Sequence, residues 1–160
     1  MKKALVTYFS CGGTTQATGE KIATVMNYDV AEIEPEEAYS REDLNWKDKE
    51  SRSSIEMQDE SARPDYKTLD KDLEEYDLVF IGFPIWWGIE PRIIDHFLEK
   101  ENLKDKVLIP FVTSGGSQID QAQARLEENY GGKLKFLEGR RWGRNIEAEE
   151  IKTWIDDLEI

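Results

Sequence analysis

The stretch Leu78-Val79-Phe80-Ile81-Gly82-Phe83 is the most hydrophobic in the chain, and it decides the fold class. An apolar run that does not alternate with polar residues is typical of a strand buried on both faces, as in a parallel sheet covered by helices. Glycine and proline then mark a turn in the next five residues, Pro84-Ile85-Trp86-Trp87-Gly88. We therefore predict the central strand of an α/β sheet at residues 78–83.

Shorter apolar runs on both sides of this stretch alternate with amphipathic segments, which is the pattern of an open, doubly wound sheet. The other four strands are predicted at about residues 3–9, 29–34, 106–113 and 133–137. Helices are predicted at residues 14–26, from Pro91 to about Lys100, from a Ser117 cap to Gly131-Gly132, and after Glu147. Pro110 removes one hydrogen-bond donor from the middle of its strand. We expect a single domain over residues 1–160.

Charge and composition exclude several classes of protein. The 160 residues include 21 Lys and Arg against 34 Asp and Glu, a formal net charge of −13 that repels phosphate backbones and anionic lipids. We therefore expect no nucleic-acid partner and no membrane partner. The single cysteine, Cys11, excludes an internal disulfide and does not make a zinc site by itself. No apolar run approaches the roughly 18 residues of a membrane helix, so we expect a cytoplasmic protein.

Residues 36–65 form a long polar insertion between the second and third predicted strands. Half of these residues are charged, and aromatic side chains are few. The leading interpretation is a solvated loop with a short helix, because runs of charge usually cover a surface. The alternative is a flap over a ligand, which Tyr39, Trp46 or Arg52 would contact.

Three loops follow the strongest strands, and in an open α/β sheet ligands bind at that edge. The candidate site comprises Ser10, Cys11, Gly12, Gly13, Thr14 and Thr15 after the first strand, Pro84, Ile85, Trp86, Trp87 and Gly88 after the third, and Thr113, Ser114, Gly115, Gly116 and Ser117 after the fourth.

The chemistry of the three loops points to one kind of ligand. The first loop offers hydroxyls, two glycines and a helix N-terminus, which together attract a phosphate group. Two adjacent indoles in the second loop provide a surface for a flat ring. The glycines of the third loop let backbone amides approach the polar edges of that ring. Phosphate, aromatic ring and polar edge together describe flavin mononucleotide (FMN).

The same residues do not match the sequence motifs of other phosphate-binding proteins, and they do not form a nucleophilic pair. A low-molecular-weight tyrosine phosphatase needs Arg six positions after its Cys, but Ala17 follows Cys11 at that spacing. Neither a Walker A loop nor a dinucleotide fingerprint fits Gly12-Gly13. His96 is expected to be an exposed helix residue, so a pair with Cys11 is not supported. The sequence specifies no metal site and no catalytic residue.

The sequence resembles the short-chain flavodoxin-like proteins, specifically a bacterial group with Pro-Ile-Trp-Trp-Gly followed by Pro-Arg-Ile-Ile, here residues 84–88 and 91–94. The similarity covers nearly the whole chain and includes residues 51–53, 61–64 and 113–117. It implies a three-layer α/β/α flavodoxin-like fold with five parallel strands in the order 2-1-3-4-5. It also implies FMN as cofactor, with Trp87 rather than Trp86 on the ring. The departure is residues 12–15, Gly-Gly-Thr-Thr, where the family has Thr-Gly-Asn-Thr.

The resemblance implies a low-potential electron carrier. No Lys or Arg lies in the three loops, so the negative charge of a reduced flavin is disfavoured. Acidic surface near the flavin would attract basic partners, namely a donor reductase and an acceptor protein. We expect a monomer or a weak homodimer.

Two other functions stay open at this point. The first is an FMN-dependent NAD(P)H:quinone or flavin reductase, in which Arg140, Arg141 and Arg144 around Trp142 would receive the phosphates of a nicotinamide dinucleotide. The simpler interpretation of these arginines is pairing with nearby acidic residues. The second is a flavin-free interaction protein with the same fold, which the altered first loop suggests.

Overall fold

A computed structural model of the chain describes residues 2–160. The strands in this range are β1 (Ala4–Tyr8), β2 (Asp29–Glu32), β3 (Leu78–Pro84), β4 (Val107–Thr113), β5 (Lys135–Phe136) and β6 (Arg140–Trp142). The helices are α1 (Thr14–Met26), α2 (Arg52–Gln58), α3 (Arg92–Lys100), α4 (Asp120–Tyr130) and α5 (Ala148–Asp157). No helix within residues 2–160 combines the length and the apolar character needed to span a membrane.

All strand pairs of the sheet are parallel, and the strand order is β2-β1-β3-β4-β5. The hydrophobic stretch that starts at Leu78 forms β3 in the middle of the sheet, between β1 and β4. The predicted doubly wound α/β fold and its strand order are confirmed.

Helices cover both faces of the sheet because successive strand residues point to opposite sides. On β3, Phe80 packs with residues of α1 and α5, including Ile22 and Trp154. Its neighbour Val79 packs on the other face, with residues of α3 and α4 such as Phe97. The non-alternating apolar run therefore has the predicted cause, burial on both faces.

The fifth predicted strand, residues 133–137, is shorter than expected and is followed by β6, which also pairs with β4. The break between β5 and β6 lies opposite Pro110, whose carbonyl oxygen would be 2.2 Å from a Cβ at Gly139. Because the N–H and C=O of a strand residue point the same way, the missing donor of Pro110 faces this break. Pro110 therefore interrupts the neighbouring strand and leaves β4 continuous.

The helix ends follow local signals with two corrections. Helix α1 has the predicted bounds, Thr14–Met26. Pro91 is the N-cap of α3 and not its first helical residue. Ser117 does not cap α4, which begins at Asp120, because the Ser117 carbonyl is held in a turn by the Ser114 hydroxyl.

The ends of the polar segment 36–65, which we call the insertion, meet at an isolated antiparallel bridge between Pro35 and Tyr66. Beside this bridge, Glu36 N–H donates to Asp65 O at 2.9 Å. The short helix within the insertion is α2. The long connection between β2 and β3 therefore begins and ends at one place on the molecule.

A buried ionic cluster lies behind the insertion, where α3 meets α4. Glu90 is fully buried, and it receives a hydrogen bond from Arg125 at 3.3 Å. Burial and the neighbouring Asp95 raise the pKa of Glu90 from 4.5 to about 8. Asp95 itself lies 3.6 Å from the buried Arg92 and accepts a hydrogen bond from Tyr130 at 2.8 Å. Burial therefore favours the protonated form of the Glu90 carboxyl in the folded state.

We predict that the Glu90→Gln variant loses less stability than the wild type as the pH rises from 5 to 8. Because the folded pKa is raised, the contribution of Glu90 is complete below pH 4.5 and disappears as the pH rises through about 8. One titrating proton changes the free energy of unfolding by up to about 1.4 kcal/mol per pH unit. Urea unfolding across this range measures the slope, with Glu128→Gln on the exposed side of α4 as the control. Equal slopes for wild type and Glu90→Gln would contradict the assignment.

Candidate functional site

The three predicted loops lie together at the carboxyl edge of the sheet, and two hydrogen bonds join them. The hydroxyls of Thr15 and Thr113 are 2.7 Å apart and buried. The amide of Ile85 donates to Thr113 O at 3.3 Å. The loops after β1, β3 and β4 are therefore fixed relative to one another through Thr113.

The first loop turns into α1 through two glycines at positive φ, Gly12 at 90° and Gly13 at 93°. A Cβ on either glycine would meet nothing within 4 Å, so backbone conformation rather than crowding requires them. The Ser10 hydroxyl accepts the Gln16 amide at 3.1 Å. The amides of Thr14 and Thr15 have no acceptor among residues 2–160, so the helix N-terminus offers two donors to an anion.

The hydroxyls of this loop are less free than the sequence suggests. Thr15 is 2% exposed and committed to Thr113, while Ser10 caps the helix start. Thr14 is exposed and borders a cavity between the first and third loops. The donors that this loop leaves available to an anion are consequently its backbone amides and the Thr14 hydroxyl.

The second loop is a tight turn closed by two hydrogen bonds between Trp86 and Ile89, at 2.9 and 3.1 Å. Its central residues, Trp87 and Gly88, have φ of 51° and 83°, the pattern of a type I′ turn. Positive φ is strained for a large residue such as Trp, and strain of this kind clusters at functional sites. Glycine is favoured at position 88 by its positive φ, and an added Cβ would also displace the end of the Gln121 side chain, which lies 2.6 Å away.

The two indoles have different surroundings. Trp86 packs edge-on against Phe9 and Tyr39, with ring centroids 5.7 and 5.5 Å away. Trp87 is 49% exposed. Trp86 is therefore half-buried against the core, and Trp87, which the resemblance places on the ring, is the more exposed indole.

The third loop is held by an arginine from the neighbouring strand β6. Arg141 donates to the Ser114 carbonyl at 2.9 Å and to the Ser114 hydroxyl at 3.1 Å. Gly115, Gly116 and Ser117 are exposed beyond this contact. The loop backbone is thus positioned by a cation that is distant in sequence.

Two adjoining cavities lie between the loops and share Cys11 and Pro84. The larger, about 550 Å³, contacts the first and third loops and is bordered by Arg141 and Arg144. The smaller, about 310 Å³, is bordered by Ile85 and both indoles of the second loop and by Leu44, Trp46 and Ser53 of the insertion. The larger cavity is therefore bordered by two arginines, and the smaller, which we call the aromatic cavity, by three tryptophans.

Neither interpretation of the three arginines in the sequence, a nicotinamide dinucleotide site or pairing with acidic residues, predicts that Arg141 and Arg144 lie beside the three loops. Their position after the fifth strand was the available signal, because that strand also ends at the carboxyl edge of the sheet. Of the three arginines, Arg140 pairs with Glu150 at 2.8 Å, as the simpler interpretation held. Arg144 is exposed and has no ion-pair partner within residues 2–160.

The insertion contributes to the site through Trp46, which borders the aromatic cavity. Tyr39, also of the insertion, packs against Trp86. The Arg52 guanidinium lies 3.7 Å from the Tyr39 ring centroid, and the Tyr39 hydroxyl donates to Glu56 at 2.6 Å. His96 is half-buried rather than exposed, because its Nδ1 lies 2.8 Å from Pro64 O at the end of the insertion.

These features define a small α/β protein in which a cavity lined by three tryptophans adjoins a cavity bordered by two arginines and a helix N-terminus. The flavodoxin family model matches residues 3–158. The chain belongs to the flavodoxin family, whose cofactor is FMN.

Solved structures show the same fold. A candidate flavoprotein from Bacteroides eggerthii is 41% identical, with a TM-score of 0.96 over 100% of this chain and 99% of that one. Another from Bacteroides uniformis is 42% identical, with a TM-score of 0.91 over 97% and 98%. A Lactobacillus acidophilus flavoprotein in complex with FMN is 24% identical, with a TM-score of 0.76 over the full length of both chains. None of the curated proteins matches the chain.

We predict that Cys11 reacts slowly with iodoacetamide in the folded protein. Burial raises the pKa of its thiol to about 12, so almost no thiolate forms at pH 8. The rate should be more than about tenfold lower than in urea-unfolded chain, even after allowing for the greater nucleophilicity of a basic thiolate. Cys11 is the single cysteine, so mass spectrometry of the alkylated chain reports it alone. Equal rates in both states would contradict the assignment.

Proposed function

We propose that the chain binds FMN across the two cavities and carries electrons between protein partners. The observation that supports this most strongly is their arrangement, because the aromatic cavity adjoins the cavity bordered by Arg141 and Arg144, and the two share Cys11 and Pro84. A ring joined to a phosphate by a short polar chain matches both parts. The cytoplasmic location, the single domain and the monomeric or weakly dimeric state stay predictions.

Each group of residues has a separate task in this proposal. The amides of Thr14 and Thr15, with Arg144, bind the phosphate. Trp87 contacts the ring. Ser114, fixed by Arg141, positions the backbone that faces the ring edge. Bound FMN supplies reversible electron transfer, and the chain provides binding, orientation and electrostatics.

The charge distribution favours a carrier over a nicotinamide-dependent enzyme. Arg140 is paired with Glu150, and Arg141 is bonded to Ser114. Of the three arginines that a nicotinamide dinucleotide would need, only Arg144 is therefore uncommitted. The insertion, which borders the aromatic cavity, carries ten acidic residues against five basic ones.

The acidic surface of the insertion attracts a basic partner protein, and salt weakens that attraction over a screening length of roughly 8 to 10 Å. The rate of electron transfer to a basic reductase should therefore fall as the ionic strength rises.

The deciding experiment titrates FMN with apoprotein and follows the quenching of flavin fluorescence, with riboflavin as the control that lacks phosphate. We expect FMN to bind at least about tenfold more tightly, because charge-assisted hydrogen bonds to the phosphate contribute about 1.5 to 3 kcal/mol. Absence of quenching by both ligands would overturn the proposal and favour a flavin-free interaction protein. Rapid anaerobic bleaching of bound flavin by NADPH alone would favour the reductase.

We predict that Arg144→Met weakens FMN binding about fivefold and leaves riboflavin binding unchanged. An exposed pair of opposite charges contributes about 1 kcal/mol or less, which sets the size of the effect. Arg140→Met is the matched control, because Arg140 lies on the same segment but is paired with Glu150. Equal losses for FMN and riboflavin would show that Arg144 does not act on the phosphate.

A further inference from the structure

A separate cavity of about 670 Å³ lies where helix α1, strand β2 and the chain just after the insertion meet. It shares no residue with the two cavities of the candidate site. Its volume falls in the range of about 300 to 1,000 Å³ that is typical of small-molecule sites. Glu20, Glu32 and Asp70 border it, and no Lys or Arg among residues 2–160 does. The cavity is therefore suited to a cation and not to a phosphate.

Tyr8, at the end of β1, provides this cavity with a buried polar group. Its side chain borders the cavity and is 5% exposed. Burial and three nearby carboxylates raise its pKa to about 12. The carboxylates are Glu32, Glu20 and Asp70, the same three that border the cavity, so the hydroxyl faces the cavity. Buried hydroxyls normally have a hydrogen-bond partner, but that of Tyr8 has none within the described residues 2–160.

The nearest cation does not neutralise these carboxylates. Glu32 is half-buried, and burial and the neighbouring Glu34 raise its pKa. Lys67 acts on Glu32 in the opposite direction, but it is bonded to Glu34 at 2.6 Å. Glu20 accepts a hydrogen bond from the neutral Gln16 side chain at 2.8 Å. A cation in the cavity would therefore relieve repulsion that the chain itself leaves in place.

The spacing of the acidic groups favours an extended cation over a metal ion. No three His, Cys, Asp or Glu residues in the described part of the chain lie close enough together to hold a metal. The border of the cavity also includes the apolar side chains of Ala23, Val30 and Ala31. A linear alkyl polyamine carries ammonium groups that are separated by methylene groups. Its ammonium groups match separated carboxylates, and its methylene groups match apolar side chains.

We propose that this cavity binds a small linear polyamine, whose ammonium groups pair with the three carboxylates and donate to the Tyr8 hydroxyl oxygen. This inference does not depend on FMN, because the cavity shares no residue with the proposed FMN site. A polyamine that binds only the folded chain stabilises it by mass action. Binding should weaken as salt rises, because the attraction is electrostatic.

The test titrates the purified full chain with spermidine at low salt and measures the dissociation constant by isothermal titration calorimetry. We expect Tyr8→Phe, which keeps the ring, and Glu32→Gln each to weaken binding at least about fivefold. Glu128→Gln is the matched control, because it removes one acidic charge from the exposed side of α4 and leaves the cavity unchanged. Its dissociation constant should equal that of the wild type.

Two other ligands test the kind of cation. Mg²⁺ is compact, and n-butylamine carries one ammonium group, as a lysine side chain does. We expect both to bind at least about tenfold more weakly than spermidine, because neither reaches several carboxylates at once. Equally tight binding of Mg²⁺ would show attraction to charge alone, and equally tight binding of n-butylamine would favour a lysine side chain of a partner. Either result would overturn the inference.

Absence of spermidine binding, or equal losses in Glu32→Gln and Glu128→Gln, would also overturn the inference. Thermal unfolding of each variant without ligand separates loss of binding from loss of fold, and spermidine should raise the unfolding temperature of the wild type. FMN titration of the same variants should match the wild type. Failure of the polyamine site and failure of the proposed function are therefore separate results.

Discussion

The carboxyl ends of β1, β3 and β4 meet at one edge of the sheet, and the site depends on that directional constraint. A parallel sheet buried on both faces leaves its strand ends as the place where polar loops can meet a ligand. Thr113 then joins the loops, through its hydroxyl to Thr15 and through its carbonyl to Ile85. Residues almost 100 positions apart are thereby ordered when the chain folds. The entropy of arranging them is lost before any ligand arrives, which favours tight binding.

Features set by local pattern could be predicted from the sequence, and features set by distant contacts could not. Helix α1 has the predicted bounds because Gly13 and Asn27 both adopt positive φ at its ends. The predicted Ser117 cap is an exception to this division, because the contact that replaces it, from the Ser114 hydroxyl to the Ser117 carbonyl, spans only three residues. The contact between Arg141 and Ser114 spans 27 residues, and no spacing rule in the sequence indicates it.

The insertion shows how composition can describe a surface correctly and still miss its role. Its charge predicted exposure, and most of its residues are exposed. What holds it in place is Arg92, a residue type that is almost never fully buried unless it is paired. Here it is 2% exposed and bonded to Glu56 and Met57 carbonyls. A sequence pattern cannot distinguish such an arginine from a solvated one, because the difference lies in the acceptors that folding brings to it.

The positive φ of Trp87 determines which residue would give the most stable protein at this position. A left-handed conformation costs an ordinary residue about 1 to 2 kcal/mol, and glycine would avoid that cost. Random substitution followed by selection for heat resistance alone should therefore drift away from tryptophan at this position. Under the proposed function, contact of the indole with the flavin ring offsets this cost, as at other strained functional positions.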